Sequence, residues 1–316
     1  MGRAPARILF PVRPEGTRVY LGEEARRREA LLGALARLFD EAGYAPVEVP
    51  ALEAQDPAHP LYARAFKLVD KTGEVLMLRS EFTTALAKAL LAEGRARREG
   101  RYRYAGRLWL REATAEVGRL REFTQVGVEL VGVSSPEADA ELLALAYRAL
   151  EAAGVGRAVI EVGLPSFVHD LLEAARLPAE DCEALRRAVD RKAVPELADL
   201  LDRFGVTGRV RQAILALPDL YGGPEVLAEA ERVALSERAK LDLAWLAEVR
   251  RRVSEVPMIF DFGMARRFDY YTGLTFRAYT PDFGLPLLGG GRYDGGLLPF
   301  AAGFALGLER LMEAAA

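Results

Sequence analysis

The stretch Gly303–Leu311, G-F-A-L-G-L-E-R-L, constrains this chain most. Its first half reads as the end of a strand and its second as the start of a helix. Two glycines leave the backbone bare where something must come close. Arg310 is the one cation in a largely apolar run. Only Met312–Ala316 follow Leu311, so the expectation is a fold completed by its last helical turn.

A chain of 316 residues has room for one large domain, or for one domain carrying an insertion. Its 43 basic and 46 acidic residues leave a net charge of −3, which argues against nucleic-acid binding through a broad basic face. A single cysteine, Cys182, excludes an internal disulfide and makes a thiolate metal site a poor prospect. With only His59 and His169 besides, no metal is expected. The N-terminus lacks an apolar signal core, and no uncharged apolar run of about 18 residues exists, so the expectation is a cytoplasmic chain without a membrane span.

Apolar residues at helical spacing predict a helix from Glu23 to Ala42, with Gly43 ending it. Tyr44–Val49 alternates as a strand, and Pro50, which cannot donate to a ladder, places that strand at an edge or subunit boundary. Strand Val75–Arg79 runs into Ser80-Glu81-Phe82-Thr83, where Ser80 or Thr83 could cap a helix reaching about Glu93. The same polar residues could instead form the corner of a pocket. Residues 101–112 and 122–132 read as two strands, the second with Gln125, Gly127, Glu129 and Val131 on one face. Gln and Glu facing the same way need partners or a ligand, unless that face is solvated. A helix over Ala138–Ala153 and a strand over Ala158–Gly163 follow. Residues 166–254 read as almost wholly helical, an insertion between core segments 1–165 and 255–316. Strands return at Pro257–Phe262, Leu274–Thr280 and Leu285–Leu288, and the glycine run Gly289–Gly291 follows as a turn or a point of close approach. His169, beside Phe167 and Val168, shows no evident partner.

This order resembles a class II aminoacyl-tRNA synthetase core. The Pro50 strand stands where motif 1 belongs, Arg111 at the motif 2 arginine and Arg310 at the motif 3 arginine. The blocks Leu78–Thr83, Gly118–Glu129, Arg266–Gly273 and Gly289–Gly295 resemble the histidyl-tRNA synthetase motifs L-R-P-E-G-T, G-R-x-R-E-F-x-Q-x-G-x-E, R-G-L-D-Y-Y-T-G and G-G-G-R-Y-D-G. The resemblance implies an α+β fold: a mixed, mainly antiparallel sheet flanked by helices. It also implies a homodimer built on the motif 1 elements.

The departures narrow the resemblance. Ala113 stands where motif 2 carries the glutamate that reads adenine, and Phe82 and Arg267 stand where the motifs carry glycine, which should narrow the site. With so little sequence after motif 3, the expectation is that an anticodon-binding domain is missing. These traits are similar to those of the regulatory subunits of ATP phosphoribosyltransferase, relatives of the synthetase that pair with a short catalytic subunit at the first step of histidine biosynthesis. The resemblance then implies a subunit with no catalytic residues and no cofactor, which activates its partner and mediates feedback by histidine. Its histidine pocket would consist of Glu81, Thr83 and Gln125 for the α-ammonium, Glu129 and Tyr271 for the imidazole, Arg266 for the carboxylate, and Tyr293 as a lid. Arg111, Arg121 and Arg310 match synthetase ATP contacts and would here be relics, structural pairs or anion contacts. The alternatives are a fragment that still activates histidine, for which Arg111, Gln125, Glu129, Arg266 and Arg310 speak, or another histidyl-tRNA synthetase paralogue that serves as a binding module elsewhere.

Overall fold

The computed structural model describes residues 13–112, 120–264 and 271–315. Helix α1 (Gly22–Glu41) is followed by β1 (Ala45–Pro46), β2 (Leu52–Ala54), β3 (Lys67–Val69) and β4 (Val75–Leu78). Helix α2 (Thr83–Ala92) precedes the long hairpin of β5 (Gly100–Trp109) and β6 (Glu122–Val131), then α3 (Pro136–Ala152) and β7 (Val159–Gly163). Six helices come next: α4 (Pro165–Glu173), α5 (Ala179–Asp190), α6 (Val194–Arg203), α7 (Gly208–Ala216), α8 (Glu225–Val233) and α9 (Glu237–Arg252). The two-residue strand β8 (Tyr221–Gly222) lies between α7 and α8. The chain finishes with β9 (Met258–Asp261), β10 (Thr275–Thr280), β11 (Phe283–Arg292), β12 (Ala301–Gly307) and α10 (Leu308–Ala314).

Nine strands make one sheet in the order β1-β5-β6-β12-β11-β10-β7-β9-β8, while β2-β4-β3 form a small second sheet. Only β1/β5 and β7/β9 pair in parallel among these strands. The sheet is therefore mixed and mainly antiparallel, as expected. Its apolar side is covered by α1 and α3, with Phe39 of α1 set edge-on against Phe304 of β12 at 6.0 Å. Residues of the six helices, such as Leu185, Leu197 and Leu246, are buried in the same core as Ile160 and Val162 of β7.

Local chemistry explains the helix ends. Gly43 takes the left-handed conformation (φ +83°) that closes α1. Pro136 occupies the first turn of α3, where its missing N–H costs nothing, and the Ser135 hydroxyl accepts from the Ala138 amide at 3.3 Å. The expected motif 1 strand is shorter than the alternation implied. Strand β1 holds two residues at the sheet edge, the Val47 amide extends the contact to the Arg103 carbonyl at 2.9 Å, and Pro46, with no N–H to donate, turns its nitrogen to the open edge. Conversely, β11 runs past Leu288 to Arg292, so Gly289–Gly291 are strand residues paired on both sides rather than a turn. The reason is space: a Cβ on Gly290 would stand 2.4 Å from the Gly303 carbonyl oxygen. His169 does have a neighbour, the Glu173 carboxylate one turn on at 3.1 Å. Among the described residues, no helix is long and apolar enough to cross a membrane.

Candidate functional site

The centre of the sheet is floored with glycine. The β6/β12 register sets Glu129 opposite Gly303, Gly127 opposite Ala305 and Gln125 opposite Gly307, while β5 sets Tyr104 opposite Gly127. A Cβ on Gly303 would stand 2.0 Å from Glu129 Oε2, and one on Gly127 would stand 2.5 Å from the Tyr104 hydroxyl. The two bare positions let a carboxylate and a phenol lie flat across the strands. Period-2 alternation puts Gln125 and Glu129 on the same face, and both line one cavity of about 370 Å³. Of the two readings that alternation left open, the solvated face is excluded.

Glu129 is the electrostatic centre of this cavity. Its residue is 3% exposed. Oε1 accepts from the Thr83 hydroxyl at 2.7 Å, with the Tyr104 hydroxyl 3.5 Å away, and Oε2 accepts from the Tyr293 hydroxyl at 2.7 Å. Burial raises the carboxyl to about 7 and the nearby Glu81 adds to the rise, although the hydroxyls oppose it. Tyr293 is thus not a lid. It is 2% exposed, and its hydroxyl belongs to Glu129.

Glu81, Thr83, Tyr271 and Tyr293 also line the cavity. The cap of α2 differs from expectation: the Glu81 carboxylate, not Ser80 or Thr83, accepts from the Thr84 amide, at 2.8 Å. Thr83 is turned toward Glu129 instead. The Tyr271 ring lies over Gly291, where an added Cβ would come within 2.9 Å of it. Phe82 does not narrow the site. It points away from the cavity, stacks on the far side of Tyr104 at 4.3 Å between centroids, and carries the Arg79 guanidinium on its ring at 4.1 Å. Gly106 makes room for it on β5. Arg266, Arg267 and Ala113 lie outside the described residues.

The three expected anion contacts separate. Arg310 lines the far end of the cavity, where its Nη1 donates to the Pro286 carbonyl and burial draws it down to about 10. Arg111 is exposed and pairs with Glu112 at 3.2 Å. Arg121 packs its guanidinium on Phe66 at 4.7 Å. Neither of these two lines the cavity.

Sequence reasoning missed two residues. Tyr104 could have been found by pairing the alternation of β5 with that of β6 across Gly127. His59 had no legible signal. It is buried, its Nδ1 accepts from the Leu61 amide at 3.0 Å, and its Nε2 stands 3.4 Å from Glu81 Oε1. The whole arrangement offers two carboxylates and several hydroxyls at one end and a desolvated guanidinium at the other. It suits a small ligand rich in N–H donors. Among the described residues, no cluster of metal-ligating side chains occurs.

The sequence profile described as histidyl-tRNA synthetase matches residues 16–311. The chain is 58% identical over 304 residues to the ATP phosphoribosyltransferase regulatory subunit of Thermus thermophilus, a match covering 95% of this chain and 82% of that protein. Its fold is similar to that of an ATP phosphoribosyltransferase regulatory subunit/histidyl-tRNA synthetase from Bacillus halodurans, with a TM-score of 0.87 and 27% identity over 96% of this chain and 83% of the other. A chain of the ATP phosphoribosyl transferase (HisG:HisZ) complex from Thermotoga maritima shares the fold at a TM-score of 0.68 and 20% identity, over 89% of this chain and 97% of the other.

Proposed function

The chain belongs to the family of ATP phosphoribosyltransferase regulatory subunits, within the wider histidyl-tRNA synthetase family, and from that premise we propose that it is a non-catalytic histidine sensor. It activates a short-form ATP phosphoribosyltransferase catalytic subunit and lowers that activity when histidine fills the cavity. The observation that carries this reading is the convergence of Glu81, Thr83, Gln125, Glu129 and Tyr271 on one cavity of amino-acid size.

In this reading the α-ammonium of histidine lies against Glu81 and Gln125, and against the lone pairs of the Thr83 hydroxyl, whose proton is already given to Glu129. Glu129 accepts an imidazole N–H, and the Tyr271 hydroxyl meets the other ring nitrogen. Tyr293 holds Glu129 rather than the ligand. Arg266 pairs with the α-carboxylate. Ala113, in place of an adenine-reading glutamate, supports loss of adenylation. Regulation is linkage: if histidine favours the less active arrangement of the complex, the partner changes histidine affinity by the same factor. The short edge strand β1 and Pro50 lie on the surface through which two copies of the chain pair.

Calorimetry of the purified chain with histidine, followed by assay of the catalytic subunit with and without it, tests the proposal. Binding below millimolar histidine and histidine-sensitive activation are expected. No binding at millimolar histidine would overturn the sensor. Histidine-dependent pyrophosphate–ATP exchange would favour the synthetase fragment instead.

A further inference from the structure

Behind Tyr293 lies a buried ion cluster that the pocket chemistry does not use. Arg292, 4% exposed, donates from Nε and Nη2 to Asp139 Oδ1 at 2.9 and 2.7 Å. Its Nη1 donates to Asp294 Oδ1 at 2.9 Å and to the Val133 carbonyl at 3.0 Å. Asp139, on the first turn of α3, also accepts the indole N–H of Trp245 on its Oδ2 at 2.7 Å. Trp245 belongs to α9, the last helix of the long segment between β7 and β9. On the other side of Tyr293, Asp294 accepts from the Ala301 amide at 2.8 Å and from the Ser134 hydroxyl at 2.6 Å. The Tyr293 amide itself donates to the Ala301 carbonyl at 2.8 Å.

Tyr293 is therefore gripped through both of its chain neighbours. Its hydroxyl reaches Glu129 Oε2 at 2.7 Å only while that backbone stays put. An O–H···O contact of this length is lost by a displacement of about 1 Å. A buried ion pair is weak evidence for stability in itself. A cluster whose polar groups are met from three separate elements fixes geometry instead.

We propose that Asp139, Arg292 and Trp245 are positioning residues for effector binding, tying helix α9 to the Tyr293 hydroxyl so that the place of α9 sets the affinity of the Glu129 pocket. The inference rests on the histidine-sensor reading of that pocket. By reciprocity, filling the pocket changes the surroundings of Trp245.

The test uses the full chain with Trp245→Phe, Asp139→Asn and Tyr293→Phe. Histidine affinity is measured by calorimetry across pH 5.5–8.5, and urea melts check that each variant folds. Trp245→Phe keeps an aromatic ring but removes the indole N–H together with the pyrrole half of the ring system, so, with its melt showing that it folds, it decides the matter if Asp139→Asn fails to fold. The expected result for Trp245→Phe is a dissociation constant about three- to tenfold weaker, with the pH profile displaced in the same direction as in Tyr293→Phe. In a Trp109→Phe background, where Trp245 is the remaining tryptophan, histidine should shift its emission. An unchanged affinity, or a weaker one with an undisplaced pH profile, would overturn the proposal. So would a Trp245 emission that ignores histidine while the wild type binds it. A wild type that binds no histidine overturns this inference together with the sensor reading, which separates the two failures.

Discussion

Replacing Glu129 by Gln should remove a loss of stability that the wild type suffers as the pH rises through the neutral range. The folded chain raises its carboxyl from an ordinary 4.5 to about 7, chiefly by burial. At about 1.4 kcal/mol per pH unit, ionising it in place costs about 3 kcal/mol more than in the unfolded chain. The folded state therefore binds the proton more tightly. Its stabilising effect is complete below about pH 4.5 and is lost as the pH rises through about 7. Between pH 5 and pH 8 the wild type should lose about 2–3 kcal/mol through this group alone. Glu129→Gln keeps the volume and does not titrate; its one oxygen accepts from one of the Thr83 and Tyr293 hydroxyls, and its NH2 donates to the lone pairs of the other. Urea melts of both proteins at pH 5, 6, 7 and 8 measure the effect. Burial also raises Glu53 and Glu161, so the difference between the two proteins isolates Glu129. That difference should favour the wild type at pH 5 and shrink or change sign by pH 8. A constant difference across the range would refute the reasoning.

Gly303→Ala places a methyl 2.0 Å from Glu129 Oε2 and 2.4 Å from the Val128 carbonyl, so it should cost about 2–3 kcal/mol in a thermal or urea melt and abolish histidine binding. Ser135→Ala removes the cap of α3 and should cost about 1 kcal/mol without altering ligand affinity. Arg310→Met removes a guanidinium that burial already disfavours, so stability should stay within about 1 kcal/mol or rise. If Arg310 is a relic, histidine affinity by calorimetry should move less than about twofold.

The helix at 22–41, the 100–131 hairpin and the alternation that puts Gln125 beside Glu129 were all legible, because each depends on period and on local turn chemistry. What stayed hidden depends on neighbours far along the chain. Phe82 was expected to crowd the site, but Gly106 on β5 offers it a berth on the other side of Tyr104, and no local pattern reports that vacancy. Tyr293 was expected to be a lid from the resemblance alone. The extension of β11 to Arg292 draws it inward to Glu129. The glycine run read as a turn or a point of close approach, and only the packing of β10 and β12 on either side shows that the bare backbone lies within a strand. The expectation for Arg266 falls outside the described residues.

The bare floor under Glu129 has an evolutionary corollary. Every single-base change away from a glycine codon that still encodes an amino acid adds at least a Cβ, and at Gly127 or Gly303 that atom has nowhere to go. Drift at the bottom of the cavity can therefore only fill it. A lineage that came to recognise a different metabolite would have to rebuild the walls, at positions such as Gln125 and Tyr271, and leave the base as it found it.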